Sequence, residues 1–215
     1  PLQWRFDVDQ YLNPFIPGTI LPRLPYAISH FLGYRTQAPR KWPPGSFVVT
    51  FWAFVGTFLS LAIIGSINNH IPSFESRAVP TIIGSFGAAA VLDFWAIESP
   101  LAQPRNSIIG QVISTLTGVA INKLFLLSGP ARYQSIRWIG GALSCASATA
   151  LMALTGTVHP PGGATALMAV MSDDVADLGW FFLAPVMLGC GLMLTMALLV
   201  NNMQRRFPTY WWTPE

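Results

Sequence analysis

The sequence contains little charge. Only 10% of its 215 residues are Asp, Glu, Lys or Arg, whereas 52% are hydrophobic and the mean hydropathy is +0.48. Soluble domains carry about 25% charged residues, which cover their surface. The shortage argues against an ordinary water-soluble protein. It favours an integral, multi-pass membrane protein, in an organelle or in the plasma membrane.

The sequence also lacks the residue clusters that several other functions need. Its two cysteines, Cys145 and Cys190, lie inside apolar runs, which is typical of packing residues rather than a disulfide framework. The three histidines, His30, His70 and His159, are scattered, which argues against a metal-dependent membrane enzyme. The net charge of +3 is small and its basic residues are dispersed. We therefore predict no enzyme activity, no metal or cofactor and no nucleic-acid partner.

Long runs with few or no charges indicate the membrane segments. Phe47–Asn68 has no charged residue and, at about 1.5 Å per residue, reaches roughly 33 Å, enough for one crossing. Further candidates are 79–97, 106–127, 138–158 and 180–201. The run 162–172 is too short for an ordinary crossing, so it is either a half-helix or part of an irregular crossing. The predicted fold is an all-α polytopic membrane helix bundle with five to six membrane segments.

The charges at the ends of these runs suggest a topology. We expect a Pro/aromatic-rich interfacial arm at 1–45, a transmembrane domain at 46–203 and a short tail at 204–215. Within the arm, "LPYAISHFLGYR" predicts either a short interfacial helix or a semi-ordered segment. Six crossings place the arm and tail on the same inner face, whereas the loop with Arg132 and Arg137 disagrees. The basic residues on that inner face are Arg5, Arg23, Arg35, Arg40, Lys41, Arg205 and Arg206.

Two stretches indicate an internal repeat. "TIIGSFGAAAVL" (81–92) aligns at a constant offset with "TVHPPGGATALM" (157–168). After a small shift, Gly110 corresponds to Gly189 and Asn122 to Asn201. Small apolar alphabets also match by chance. A 3+3 inverted repeat, however, would place a site between broken helices near the midplane, with the break at HPPGG.

Small residues also recur four apart, as in Gly110, Ser114 and Gly118. This spacing is typical of close helix packing, and it would also suit the contacts of a homo-oligomer.

The HPPGG stretch predicts an anion site. Pro161 can open a helix and Pro160 keeps His159 extended, so the following N–H groups would lie unpaired at a positive helix end. The alternative, of equal weight, is a tight turn with His159 bonded to a carbonyl. The candidate anion-binding residues are His159, Gly162, Gly163, Ala164 and Thr165. The repeat adds Gly84, Ser85 and Gly87, for which small-residue packing is the alternative.

Polar residues around the second and third runs are candidates for gating or coupling. Asp93 lies within a run, where it would pair with Arg105 or Lys123, carry a proton, or lie at the interface if the segment ends early. In "ESPLAQPRN" (98–106), Arg105 could bind an anion, pair with Glu98 or anchor at headgroups. The candidates are Asp93, Gln103, Arg105 and Asn106.

The motifs "SPLAQPRN" and "HPPGGATAL", together with "GSFGAAAVL", resemble the HPP family of integral membrane proteins over about 46–201. The resemblance implies a multi-span membrane protein, and plant plastid members are associated with nitrite transport. Asp93 departs from the apolar pattern expected there. We predict a transporter or channel for a small inorganic, nitrite-like anion, bound at the helix start formed by 159–165. The alternative is a non-catalytic membrane subunit or scaffold.

Overall fold

The computed structural model describes residues 7–35 and 44–214, and those residues form helices and loops without a strand. Three helices there are long and apolar enough to cross a membrane: Ser46–Asn68, Pro104–Leu126 and Gly179–Asn201. The all-α membrane class is therefore confirmed. Arg5, Arg40 and Lys41, assigned above to the inner face, lie outside the described residues.

The main helices fall into two groups along the chain, each with a long, a short and a long member. They are α1 (Ser46–Asn68), α2 (Ser85–Phe94), α3 (Pro104–Leu126), α4 (Pro130–Leu154), α5 (Pro160–Met171) and α6 (Leu183–Asn201). Single-turn α-helices span Asp9–Leu12, Pro72–Glu75 and Asp173–Ala176, and a longer one spans Tyr26–Phe31. Short 3-10 helices span Asn13–Phe15, Leu21–Arg23, Pro100–Ala102 and Gly179–Phe182.

The second predicted run is not one continuous helix. Residues 79–84 are non-helical, and only Ser85–Phe94 is helical. The polar groups of the non-helical part bond to the end of α1: Asn68 Nδ2 donates to Thr81 O at 3.1 Å, and Thr81 Oγ1 donates to Asn69 Oδ1 at 2.8 Å. The candidate segment 79–97 is therefore only partly helical, and in this it resembles the short run predicted at 162–172, whose helix is α5.

The fourth run also differs in its limits. The helix α4 begins at Pro130, because Gly129 at φ 85° turns the chain and a proline suits the first helical position. It ends at Leu154, before Gly156 at φ 63°. Residues 155–158 are therefore non-helical, where a helix was expected.

Glycines set the distance between the helices. A Cβ on Gly118 would lie 2.7 Å from Ala166 O and 2.8 Å from Ala169 Cβ, so α3 and α5 touch through backbone. Gly189 of α6 faces the ring of Phe86. The close helix packing expected from the small residues is confirmed for these contacts.

The arm and the tail pack together at one end of the bundle. The helix Tyr26–Phe31 lies within "LPYAISHFLGYR", which confirms a short helix there. Arg35 Nη2 donates to Asn202 Oδ1 at 2.7 Å, and Arg206 Nε donates to Gly33 O at 2.9 Å. These bonds fix the helix to the end of α6.

The contact at Gly118 gives a stability prediction. We expect Gly118→Ala to lower the free energy of unfolding by about 1–3 kcal/mol, because the new Cβ overlaps backbone that cannot rotate away. Gly191→Ala, on α6 with no atom within 4 Å of the added Cβ, is the control and should leave stability unchanged or slightly raised. Thermal unfolding in detergent measures both. Equal melting temperatures would contradict the packing of α3 on α5.

Candidate functional site

The short helices α2 and α5 run in opposite directions, and the start of α2 lies beside the middle of α5. The non-helical segment before α5 lies at the N-terminal end of α3, where Arg105 Nη2 donates to Thr155 O at 3.0 Å and Asn106 Nδ2 to Val158 O at 3.0 Å. The end of α2 lies at the same end of the bundle, since Thr209, in the tail beyond α6, donates its N–H to Gln103 Oε1 at 2.9 Å and Arg205 Nη2 donates to Phe94 O. Thus α5 runs away from this end and α2 runs towards it.

A buried polar cluster lies where the two helices meet. It consists of Ser85, Gln111 and Thr165, which we call the Thr165 cluster; each is at most 2% exposed. Thr165 Oγ1 lies 2.6 Å from Gln111 Oε1 and 2.7 Å from Ser85 Oγ. A hydroxyl has one hydrogen, so Thr165 donates to the amide oxygen and accepts from Ser85.

Gln111 has donors left over. Its Nε2 is buried and has no hydrogen-bond partner among the described residues. Leaving a buried polar group unpaired costs about 1–3 kcal/mol, and such a group in a native structure needs an explanation. The cluster therefore offers amide hydrogens to a ligand that accepts hydrogen bonds.

The start of α5 offers fewer donors than predicted, because Gly162 N is already paired. The helix begins at Pro160, one residue earlier than expected, with His159 as the preceding cap residue. Pro160 and Pro161 have no N–H, and Gly162 N donates to His159 O at 2.9 Å. The expectation of an unpaired Gly162 N–H is wrong, because the prolines fill the positions whose N–H groups would have been free. Gly163, Ala164 and Thr165 lie beyond that first turn.

His159 is hydrogen-bonded within this turn. Its Nδ1 lies 2.9 Å from Leu101 O, so the neutral ring donates its Nδ1 hydrogen to that carbonyl. A Cβ on Gly162 would lie 2.5 Å from Ser114 Oγ, whereas one on Gly163 would meet only Cys145 Sγ at 3.5 Å. The alternative interpretation, a tight turn with His159 bonded to a carbonyl, is confirmed.

The start of α2 is more open. Phe86 N donates to Ile83 O at 2.9 Å and Gly87 N to Gly84 O at 3.2 Å, but Gly84 and Ser85 find no backbone acceptor among the described residues for their own N–H groups. A Cβ on Gly87 would meet no atom within 4 Å, and one on Gly84 would meet only Met168, at 3.6 Å. The half-helix ranked second by the sequence therefore also has N–H groups without a backbone acceptor.

The SPLAQPRN stretch ties loops together. Gln103 Nε2 donates to Ile97 O and to Ser99 O, both at 2.9 Å. The carboxylate on Arg105 is that of Asp9, with Nη2 and Oδ1 2.6 Å apart. Of the three predicted roles for Arg105, the pair with Glu98 is wrong.

Asp93 is buried without a counter-charge. It is 5% exposed, and its Oδ1 has no hydrogen-bond partner among the described residues. The ion pairs found there are Arg105–Asp9 and Arg137–Asp173, so the expected pairs of Asp93 with Arg105 or Lys123 are wrong. Asp93 is instead fixed through its backbone, because Asn201 Nδ2 donates to its carbonyl oxygen at 2.7 Å.

Sequence reasoning missed Gln111. The available signal was an amide side chain in the middle of an apolar run, directly after Gly110. In the structure, a Cβ added to Gly110 would lie 2.8 Å from His159 Cβ. It also missed a cavity of about 350 Å³ at the far end of α3, lined in part by Asn122, Tyr133 and Arg137.

Comparison with known proteins identifies the class. The model of the HPP transmembrane region matches residues 42–208, so the chain belongs to the HPP family of integral membrane proteins. Two transmembrane proteins from Dictyostelium discoideum are similar: one is 34% identical over 87% of this chain and 65% of its own length, the other 35% identical over 75% and 50%. The chain thus spans between half and about two thirds of those relatives. No solved structure matches.

The buried ring of His159 gives a second prediction. We expect His159→Ala to lower the free energy of unfolding by about 2–4 kcal/mol, because it removes a packed side chain and leaves Leu101 O unpaired. His70→Ala, at an exposed position, is the control. Thermal unfolding in detergent compares them. If His159→Ala unfolds at the wild-type temperature but loses anion binding, His159 is a ligand after all.

Proposed function

We propose that the protein is a transporter or channel for a small inorganic, nitrite-like anion that binds at the Thr165 cluster beside the start of α2. Membership of the HPP family suggests a membrane transport role. The observation that supports an anion as the ligand is the unpaired, buried Nε2 of Gln111. Ser85, Thr165 and Gly84 complete the site, while Gly87 leaves the space beside it open.

The electrostatics of the cluster favour an anion. Helix starts carry roughly half a positive charge, and the start of α2 lies at this cluster, beside the middle of α5. The nearest carboxylate on α2 is Asp93, about 12 Å further along that helix at 1.5 Å per residue. Partial charges without a full cation bind weakly, which suits an ion that must also leave.

We infer that the chain is a 3+3 inverted repeat with six membrane segments, of which α2 and α5 are the helical parts of two broken crossings. The pattern of helix contacts supports this. If α1, α2 and α3 are exchanged with α4, α5 and α6, each pair of packed helices should become another packed pair. The pair α1 and α2 becomes α4 and α5, the pair α1 and α6 becomes α4 and α3, and the pair α3 and α5 becomes α6 and α2. All six pairs are in contact. Broken crossings related in this way meet near the midplane in transporters.

Individual residues follow the same exchange. Gly110 packs against Gly162, and Gly189 packs against Phe86. Phe86 and Gly162 are equivalent positions at the offset of the two aligned stretches, as are Gly110 and Gly189 after the small shift.

The four gating candidates take different parts in this proposal. Gln103, Arg105 and Asn106 hold the loops around the start of α5, so they control whether that start can move. Asp93 as a proton carrier remains a separate prediction: flux would depend on pH, and Asp93→Asn would change that dependence.

Nitrite uptake into liposomes that contain the pure protein tests the site. We expect Gln111→Glu to lower flux by about tenfold or more, because it replaces the free N–H groups with negative charge. Gln111→Met, which removes the donors without adding charge, should also lower flux. Gln204→Glu, at an exposed position, is the matched control and should transport as the wild type does.

The same assay distinguishes the alternatives. Equal flux in Gln111→Glu and Gln204→Glu, with both folded, would contradict the Thr165 cluster as the site. Flux equal to that of empty liposomes for the wild type, together with stable co-purification of one partner, would support a membrane subunit or scaffold instead.

A further inference from the structure

A buried cation, Arg105, lies at the arm-covered end of the bundle. The Arg105 side chain is 3% exposed, and its Nη2 lies 2.6 Å from Asp9 Oδ1 and 3.0 Å from Thr155 O. The ring of Trp212 lies 4.5 Å from the guanidinium carbon. The arginine is thus enclosed by the arm, the tail and the segment that leads to His159.

The carboxylate on Arg105 comes from a lightly packed segment. The helix Asp9–Leu12 contains no buried residue, and Phe15 just beyond it is 84% exposed. Trp212 Nε1 donates to Asn13 Oδ1 at 3.1 Å, which links this segment to the tail. Little apolar burial opposes its release, so the ion pair itself provides much of the attachment.

The ion pair leaves part of the arginine unused. Arg105 Nε is buried and has no hydrogen-bond partner among the described residues. Nε and Nη2 together form a fork that matches the two oxygens of a carboxylate or of nitrite. A free two-oxygen anion can therefore satisfy a donor that the tethered Asp9 leaves unpaired.

The backbone at Gly156 comes close to Arg105. Gly156 has φ 63°, and a Cβ there would lie 3.5 Å from Arg105 Nη2 and 3.8 Å from Asp9 Oδ2. Along α3, Arg105 precedes Gln111 by about 9 Å at 1.5 Å per residue. The arginine therefore lies between the covered end of the bundle and the Thr165 cluster.

We propose that Arg105 is a binding site for small monovalent anions with two oxygens, and that Asp9 occupies it as a tethered plug that such an anion displaces. The site is separate from the Thr165 cluster. Its part in transport rests on the proposed function, whereas its occupancy by an anion does not.

Formate, the smallest carboxylate, is the probe, and the purified full chain in detergent is the sample. Asp9→Asn removes the charge of the plug and should lower the melting temperature, because it leaves a buried cation without a counter-charge. Saturating formate should then raise that temperature by about 5 °C. Asp7→Asn removes the same charge from the exposed residue two positions earlier and is the matched control, with no formate effect beyond that of the wild type.

Fluorescence gives a second measurement that does not depend on unfolding. Because Trp212 stacks on Arg105, formate should change the emission of the Asp9→Asn protein, and Trp212→Phe in the same background should abolish the change. The double variant Asp9→Asn/Arg105→Gln should show neither response.

The outcomes separate the two proposals. Equal formate stabilisation of Asp9→Asn, Asp7→Asn and the double variant would overturn the Arg105 site. Formate binding to Asp9→Asn, with no nitrite flux in the wild type or in any variant, would support the Arg105 site and contradict the transport function. Faster nitrite transport by the Asp9→Asn variant than by the Asp7→Asn variant would support the plug. Formate binding to Asp9→Asn together with equal nitrite flux in the two variants would overturn the plug.

Discussion

The structure depends on how the backbone of its two non-helical segments is satisfied. An unpaired backbone group away from water is costly, so irregular chain inside a membrane protein needs side-chain partners. Here these partners are amides and a guanidinium: Asn106 bonds to Val158 O, Arg105 to Thr155 O, and Asn68 to Thr81 O. The polar residues of the apolar helices are therefore structural first, and a residue becomes a candidate for function only when a donor remains unused.

That criterion separates the two half-helices. At α5 the paired prolines and the bond from Gly162 N to His159 O close the helix start, and His159 is itself bonded to Leu101 O. At α2 the Ser85 side chain faces Thr165, and Gln111 retains free hydrogens. In the proposed repeat the two halves therefore differ: the first turn of α5 is occupied by prolines and a paired Gly162 N–H, whereas the Gly84 and Ser85 N–H groups at the start of α2 have no backbone acceptor among the described residues.

The sequence was a good guide to where the chain breaks and a poor guide to what faces the break. Prolines and glycines act locally, so the half-helix at α5 was predicted to within two residues at its N-terminus. Because of that small shift, the Gly162 N–H, which was expected to be free, is hydrogen-bonded to His159 O. The partner of Arg105 was not predictable, because Asp9 comes from a distant segment and no local pattern relates the two residues.

The two proposed anion sites differ in their charge and in their depth, and both differences affect how tightly each site would bind an anion. Arg105 carries a full positive charge near one end of the bundle, where it can attract an anion from solution at the cost of slow release. The Thr165 cluster deeper inside has only dipoles and an amide, so it would hold the same anion weakly. A competing carboxylate on Arg105 weakens the outer site as well, because an incoming anion must displace Asp9 before it binds. Both sites would then bind the anion weakly enough for it to pass. Without the competition from Asp9, the affinity of Arg105 would trap the anion at the covered end.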